Sequence, residues 1–359
     1  MRYAYLAILV ALIACSQPSD DIVIGADYAL TGSLSQYGDW ANNGINLALE
    51  EINKKGIHGR QVKVIFEDSK GDAKEAVSAY HKLRNIDGVQ YLITFQSSIA
   101  LAIAPLANED GVVQMDVSAT TPAYSSPNDY TFRTGILATQ LAKDAAKSIE
   151  DLGITELGVA YINNDYGQGM VDTFKKSYTG KILKEESFDQ DANDFRTQLT
   201  KLSEAGAKNI FMVSHMKEAG LVVKQAAELG LGLTFYSDVF GIEGDEFMKG
   251  AGDASEGVIY VAPLFDAESA SAAVSGFVQA HQAKHGSDPN YFAAQSYDGL
   301  MALATAMEAC AEVTPQCVKD ELSNVDFQGT SGKIKFDING DTIKPVVLKT
   351  VKNGEYVAY

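Results

Sequence analysis

The feature that most limits what this chain can become is a repeated exchange of short apolar runs with helix-patterned stretches. Residues 22–26, 61–68, 91–95 and 112–115 read as strands, and the segments between them, 39–55, 72–85 and 99–108, carry helical periodicity. In the first of these helices Gly44, Leu47, Ala48 and Ile52 share one face, and Gly56 is placed to end it. Such alternation specifies a parallel sheet covered by helices on both faces. After residue 134 the pattern restarts. Strands at 156–162, 182–187, 209–213, 233–236 and 258–261 alternate with helices at 136–152, 165–178, 194–205 and 217–229. A second lobe of the same α/β architecture is expected, although no sequence repeat links the two. From residue 269 the pattern changes to helices 270–285, 292–311 and 318–324, followed by strands 332–336, 344–351 and 356–359. Asn339-Gly340 is read as a hairpin turn between the first two of those strands. No Pro- or Ser-rich linker separates the lobes, so the chain is expected to cross between them through short hinges.

The stretch from Tyr91 to Pro122 points to function. Two buried-type strands end in small hydroxyl residues, one at Ser97-Ser98 and the other at Ser118-Ala119-Thr120-Thr121. Ligands of open parallel sheets bind just beyond the carboxyl ends of the strands. The Ser97-Ser98 end also opens a helix, whose first N–H groups favour an anion. One reading is half of a small-ligand site for a carboxylate or amide. The other is that Ser98 is only a helix cap and Thr121-Pro122 only a turn.

The chain has 359 residues, enough for two domains, and its 46% apolar content can fill a core in each. A formal charge of -18 repels nucleic-acid phosphates and anionic lipid, which excludes both as expected partners. Arg2 followed by an apolar run over residues 3–14 reads as a signal peptide rather than a membrane span. It ends Leu12-Ile13-Ala14-Cys15, which resembles a bacterial lipobox, so Cys15 is the expected lipidation site and residues 15–20 a tether. Export places the rest in an oxidising compartment, where Cys310 and Cys317, spaced around Thr314-Pro315, read as a local disulfide.

Other signals are weaker. His281 and His285 lack the Glu and third ligand of a zinc helix and read as a solvated face. Residues 337–341 imitate a calcium loop without its sixth-position Gly. Gly167-Gln168-Gly169 is no dinucleotide fingerprint, and neither a phosphate loop nor a nucleophile elbow occurs. No catalytic set, cofactor or metal is expected.

The chain resembles the leucine–isoleucine–valine-binding family of periplasmic solute receptors, which serve ABC importers. The resemblance rests on Tyr37-Gly38-Asp39 to Asn43-Gly44, Ile52-Asn53 to Gly59, Ser97-Ser98, Asn108 to Gly111 and Ala119 to Pro122. It continues through Phe132-Arg133-Thr134, Asp165 to Gly169, Asp194-Phe195, Ala254 to Gly257 and Tyr297-Asp298. It implies two lobes, residues 21–135 with 263–334 and residues 136–262 with 335–359, joined by three hinge crossings. It further implies a ligand carboxylate held by Ser97 and Thr120, with Ser118, Ala119 and Tyr37 beside them. Tyr166 and His215 would close from the opposite lobe. Amino-acid receptors of the family place a Glu where Phe240 stands here. Either Asp238 or Asp116 replaces it, or the ligand carries no ammonium. The expected protein is a monomeric lipoprotein that delivers a small ligand to an ABC permease. A sensor built on the same fold, or a receptor for urea, amides or aromatic acids, are the alternatives.

Overall fold

The computed structural model describes residues 21–359. The expected signal peptide, Cys15 and tether lie outside the described residues. The first lobe is built from β1 (Ile22–Tyr28), α1 (Ser35–Asn53), β2 (Val62–Asp68), α2 (Ala73–Asn85), β3 (Tyr91–Thr94), α3 (Ser97–Asp110), β4 (Val113–Asp116) and β5 (Thr131–Arg133). Its sheet runs β2-β1-β3-β4-β5, with every neighbouring pair parallel. Local chemistry sets these elements. Asp72 caps α2 by accepting the N–H groups of Lys74 at 2.8 Å and Glu75 at 3.1 Å. Gly111, in the left-handed conformation, ends α3.

The second lobe follows with α4 (Ala138–Asp151), β6 (Glu156–Ile162), α5 (Asp165–Ser177), β7 (Lys181–Phe188), α6 (Arg196–Glu204), β8 (Asn209–Val213), α7 (Met216–Glu228), β9 (Thr234–Asp238), α8 (Val239–Ile242), α9 (Asp245–Ala251) and β10 (Ile259–Pro263). The chain then returns to the first lobe with α10 (Ala272–His285), α11 (Tyr291–Ala309), α12 (Pro315–Leu322) and the ribbon β11 (Asp326–Gly329) and β12 (Gly332–Lys335). Helix α11 lies against α1 so closely that a Cβ on Gly44 would sit 2.0 Å from the Ala293 carbonyl oxygen. Cys310 and Cys317 are disulfide-bonded between α11 and α12, with Cα atoms 5.9 Å apart. Finally β13 (Val346–Lys352) and β14 (Glu355–Ala358) add antiparallel strands to the second sheet, giving β14-β13-β10-β9-β8-β6-β7. The chain therefore passes between the sheets three times, after β5, after β10 and after β12.

Two expectations are corrected. Asn339-Gly340 does not join a hairpin, because β12 pairs with β11 while β13 pairs with β10. The turn itself is local: the Asp337 carboxylate accepts the N–H groups of Asn339 at 2.8 Å and Asp341 at 3.0 Å. Asp341 then binds the buried Arg133 guanidinium at 2.7 Å, and this tertiary contact turns the chain into the third crossing. His281 is not solvated either. It is 3% exposed, packs on Phe277, and bonds the Ser287 carbonyl through Nδ1 at 2.8 Å.

Candidate functional site

Both sheets contribute at the point where their strand order reverses. In the first, β1 and β3 are neighbours whose following helices leave in different directions, and in the second β6 and β8 are. A crevice outside the carboxyl ends of such strands is where a ligand fits. The chain after β1 brings Tyr37, that after β3 brings Ser97, and that after β4 brings Ser118 and Thr120. The chains after β6, β8 and β9 bring Tyr166, His215 and Phe240.

The first-lobe wall is held by hydrogen bonds to the backbone on both edges. Asp116, at the end of β4, accepts the N–H of Ser118 at 2.7 Å, the N–H of Ala119, and the Thr94 hydroxyl at 2.7 Å. Burial raises the Asp116 carboxyl to about 6, against the lowering effect of these bonds. On the other edge Arg133 donates to the carbonyls of Ala119 at 3.0 Å and Thr121 at 2.8 Å. The Ser97 hydroxyl oxygen accepts the N–H groups of Thr120 at 3.1 Å and Thr121 at 3.4 Å. Thr120 is thereby fixed with its Oγ1 buried and without a partner. Gln96, the residue capping α3, has φ 97°, a conformation that costs a non-glycine residue about 1–3 kcal/mol and that clusters at ligand sites.

The second-lobe wall is aromatic. Tyr166 donates its hydroxyl to both carboxylate oxygens of Asp238 at 2.8 Å, and its ring stacks on His215 at 5.3 Å. Burial raises Asp238 to about 7 and lowers His215 to about 4, so the imidazole is neutral at pH 7. Phe240 tilts against Tyr166 at 5.5 Å and against Phe292 of the first lobe at 5.4 Å.

The lobes touch across the cleft. The Tyr37 hydroxyl donates to the Phe240 carbonyl, the Tyr37 and His215 rings lie 6.0 Å apart, and Glu246 donates its N–H to Gln36 at 3.4 Å. Between them lies a narrow cavity with about 30 Å³ of room for a water-sized sphere, so the lobes stand nearly shut.

Of the nine residues singled out in the sequence, Tyr37, Ser97, Ser118, Thr120, Tyr166, His215 and Phe240 line this cavity. Ala119 and Asp238 do not. Ala119 turns its N–H to Asp116 and its carbonyl to Arg133. Asp238 caps α8 by accepting the Phe240 N–H at 2.9 Å, and both its oxygens face the Tyr166 hydroxyl. Asp116, the other carboxylate considered, is closed within its loop. Ser98 is not the helix cap, since Gln96 takes that position. Ala29, Leu34, Gly38, Phe95 and Gln96 also line the cavity and were missed. Leu34 sits one helical turn before Tyr37 and Gly38 directly after it, and Gln96 directly precedes Ser97, so spacing alone flags these three. Among the described residues no cluster of three or more metal-ligating side chains exists, and no helix is long and apolar enough to cross a membrane.

Two α/β lobes joined by three crossings and shut over a common cavity define a binding protein that encloses a small solute. A family model described as Periplasmic binding protein matches residues 21–355, and the chain belongs to that family. A leucine-, isoleucine-, valine-, threonine- and alanine-binding protein of Pseudomonas aeruginosa is 28% identical, over 96% of this chain and 91% of its own length. LivJ of Streptococcus pneumoniae, a branched-chain amino acid transporter substrate-binding protein solved with isoleucine, superposes with a TM-score of 0.86 at 28% identity, covering 94% of this chain and 97% of its own. The leucine-binding protein LivK of Thermotoga maritima gives 0.88 at 26% identity with the same coverage. These are substrate-binding proteins, not enzymes.

Proposed function

We propose that this chain is the extracytoplasmic receptor of an ABC importer and takes an amino acid or a related small carboxylate or amide between its lobes. The observation that carries the reading is Thr120. Its hydroxyl is buried without a partner on the wall of the inter-lobe cavity, beside a Ser97 hydroxyl whose oxygen already accepts two N–H groups and whose proton is free to donate. Two such donors at the N-terminus of α3 suit a carboxylate. The names of the relatives support a ligand of amino-acid size. In this reading Ser97 and Thr120 hold the carboxylate from the first lobe, and Tyr166, His215 and Phe240 cover the body of the ligand from the second. Closure is a rotation about the three crossings, and the closed form is the one a permease reads. Cys15 carries the lipid that keeps the receptor at the membrane, and the protein acts as a monomer.

A thermal-shift screen of amino acids, amides, urea and aromatic acids tests the proposal. A true ligand at a hundred times its Kd adds about 2.7 kcal/mol of stability. X-ray scattering with that ligand should show the molecule contracting. A ligand that binds without contraction overturns the closure reading.

A further inference from the structure

Four polar side chains left over in the cavity each have a hydrogen to donate. Ser97 has a hydroxyl proton to give, because its oxygen already accepts from Thr120 and Thr121. Thr120 Oγ1 and Gln96 Nε2 are buried and unpartnered. His215 Nε2 lies 3.5 Å from Asn164 Nδ2, an amide donor, which assigns the imidazole proton to the unpartnered Nδ1. All four residues line the cavity, and all can donate. Against them, no carboxylate and no cationic side chain lines it among the described residues.

The buried carboxylates nearby are committed or turned away. Asp238 faces the Tyr166 hydroxyl and the Phe240 N–H, Asp116 faces Ser118, Ala119 and Thr94, and neither lines the cavity. Asp27 lies at the end of β1 beside Ser69 and does not reach the cavity wall. The rest of the wall is apolar and largely aromatic, supplied by Phe95, Tyr37, Tyr166 and Phe240. A ligand ammonium enclosed here would lose its water without gaining an anionic partner.

We infer that the ligand is a small carboxylate that carries no ammonium group, with an apolar body that packs on the aromatic wall. The inference rests on the cleft being the ligand site and narrows the chemistry of what enters it. Donors replace the hydration of the carboxylate, and the rings cover the remainder.

Matched pairs test it on the purified protein. Phenylalanine is compared with 3-phenylpropanoate and with 3-phenylpropanamide, and isoleucine with 3-methylpentanoate, by calorimetry and by the fluorescence of Trp40. Trp40 is the only tryptophan in the chain, and it faces Gly244 across the cleft. The acid of each set should bind at least tenfold more tightly than its amino acid, about 1.4 kcal/mol. An amino acid that ties or wins overturns the inference and leaves the receptor reading standing, as does a preference for the amide. Silence from every compound in this set and in the wider screen overturns both. Phe240→Glu places a carboxylate on the wall. In a variant with native circular dichroism, the preference for the acid should fall at least tenfold, and an unchanged preference overturns the charge argument.

Discussion

The Tyr37 hydroxyl donates to the backbone carbonyl of Phe240, joining the first helix of one lobe to a short helix of the other. Both groups are buried, and the bond exists only while the cleft is shut. Tyr37→Phe leaves that carbonyl unpaired in the closed form, a loss of about 1–3 kcal/mol. Ligand Kd measured by calorimetry should weaken roughly 5- to 150-fold. The melting temperature without ligand should barely move, because an open form does not use the bond. An unchanged Kd removes this contact from closure.

Thr120→Val separates binding from folding. The hydroxyl has no partner in the protein, so its loss should leave unliganded stability equal or slightly higher. Affinity should fall by about 1–3 kcal/mol, because the ligand loses a donor to a charged group. Paired urea melts and titrations check both signs. A variant that unfolds more easily but binds normally would assign Thr120 a structural role.

Asp27 gives a pH prediction. Burial raises its carboxyl to about 7. Between about pH 4 and pH 7 the folded protein keeps this proton while the unfolded chain releases it, so the stability contributed by Asp27 is full below pH 4 and falls as pH rises through 7. Asp27→Asn removes the titration. The variant should match the parent near pH 4 and gain on it by up to about 1.4 kcal/mol per pH unit, levelling off above pH 7. Urea midpoints measured from pH 4 to 8 show the trend, and a difference that does not vary with pH rules it out.

The Cys310–Cys317 bond closes a short loop at the outer end of α11 and α12, and neither residue lines the cavity. Replacing both cysteines with Ser should lower stability by about 2.5 kcal/mol, from the restored entropy of the unfolded chain. Ligand affinity should not change. Calorimetric melts and titrations on the double variant separate the two effects.

The fold could be read where both faces of a strand are buried. Strands β3 and β4 announce themselves as unbroken apolar runs, and their hydroxyl-rich ends mark the site. The three residues of β5 and the exposed ribbon strand β11 are too short to show a period, and both were missed. Asn339-Gly340 shows how a correct local turn misleads: its partner is decided by Arg133, about two hundred positions earlier in the chain. At the site, the hydroxyls of Ser97 and Thr120 are visible from strand ends alone, whereas Tyr166, His215 and Phe240 come only through family resemblance. The engagement of Asp238 with Tyr166 and the backbone strain at Gln96 depend on side-chain direction and dihedral angle, which periodicity does not carry.

The contact of Gly44 with Ala293 also sets an order for making the molecule. The first sheet is complete once Arg133 is synthesised, but the helix that roofs its flank is finished only at Ala309. Until then the groove along α1 stands open, and a nascent chain stopped anywhere in the second lobe carries an uncovered apolar seam. Each lobe is assembled from separate stretches of the chain, so neither is contained in one uninterrupted fragment.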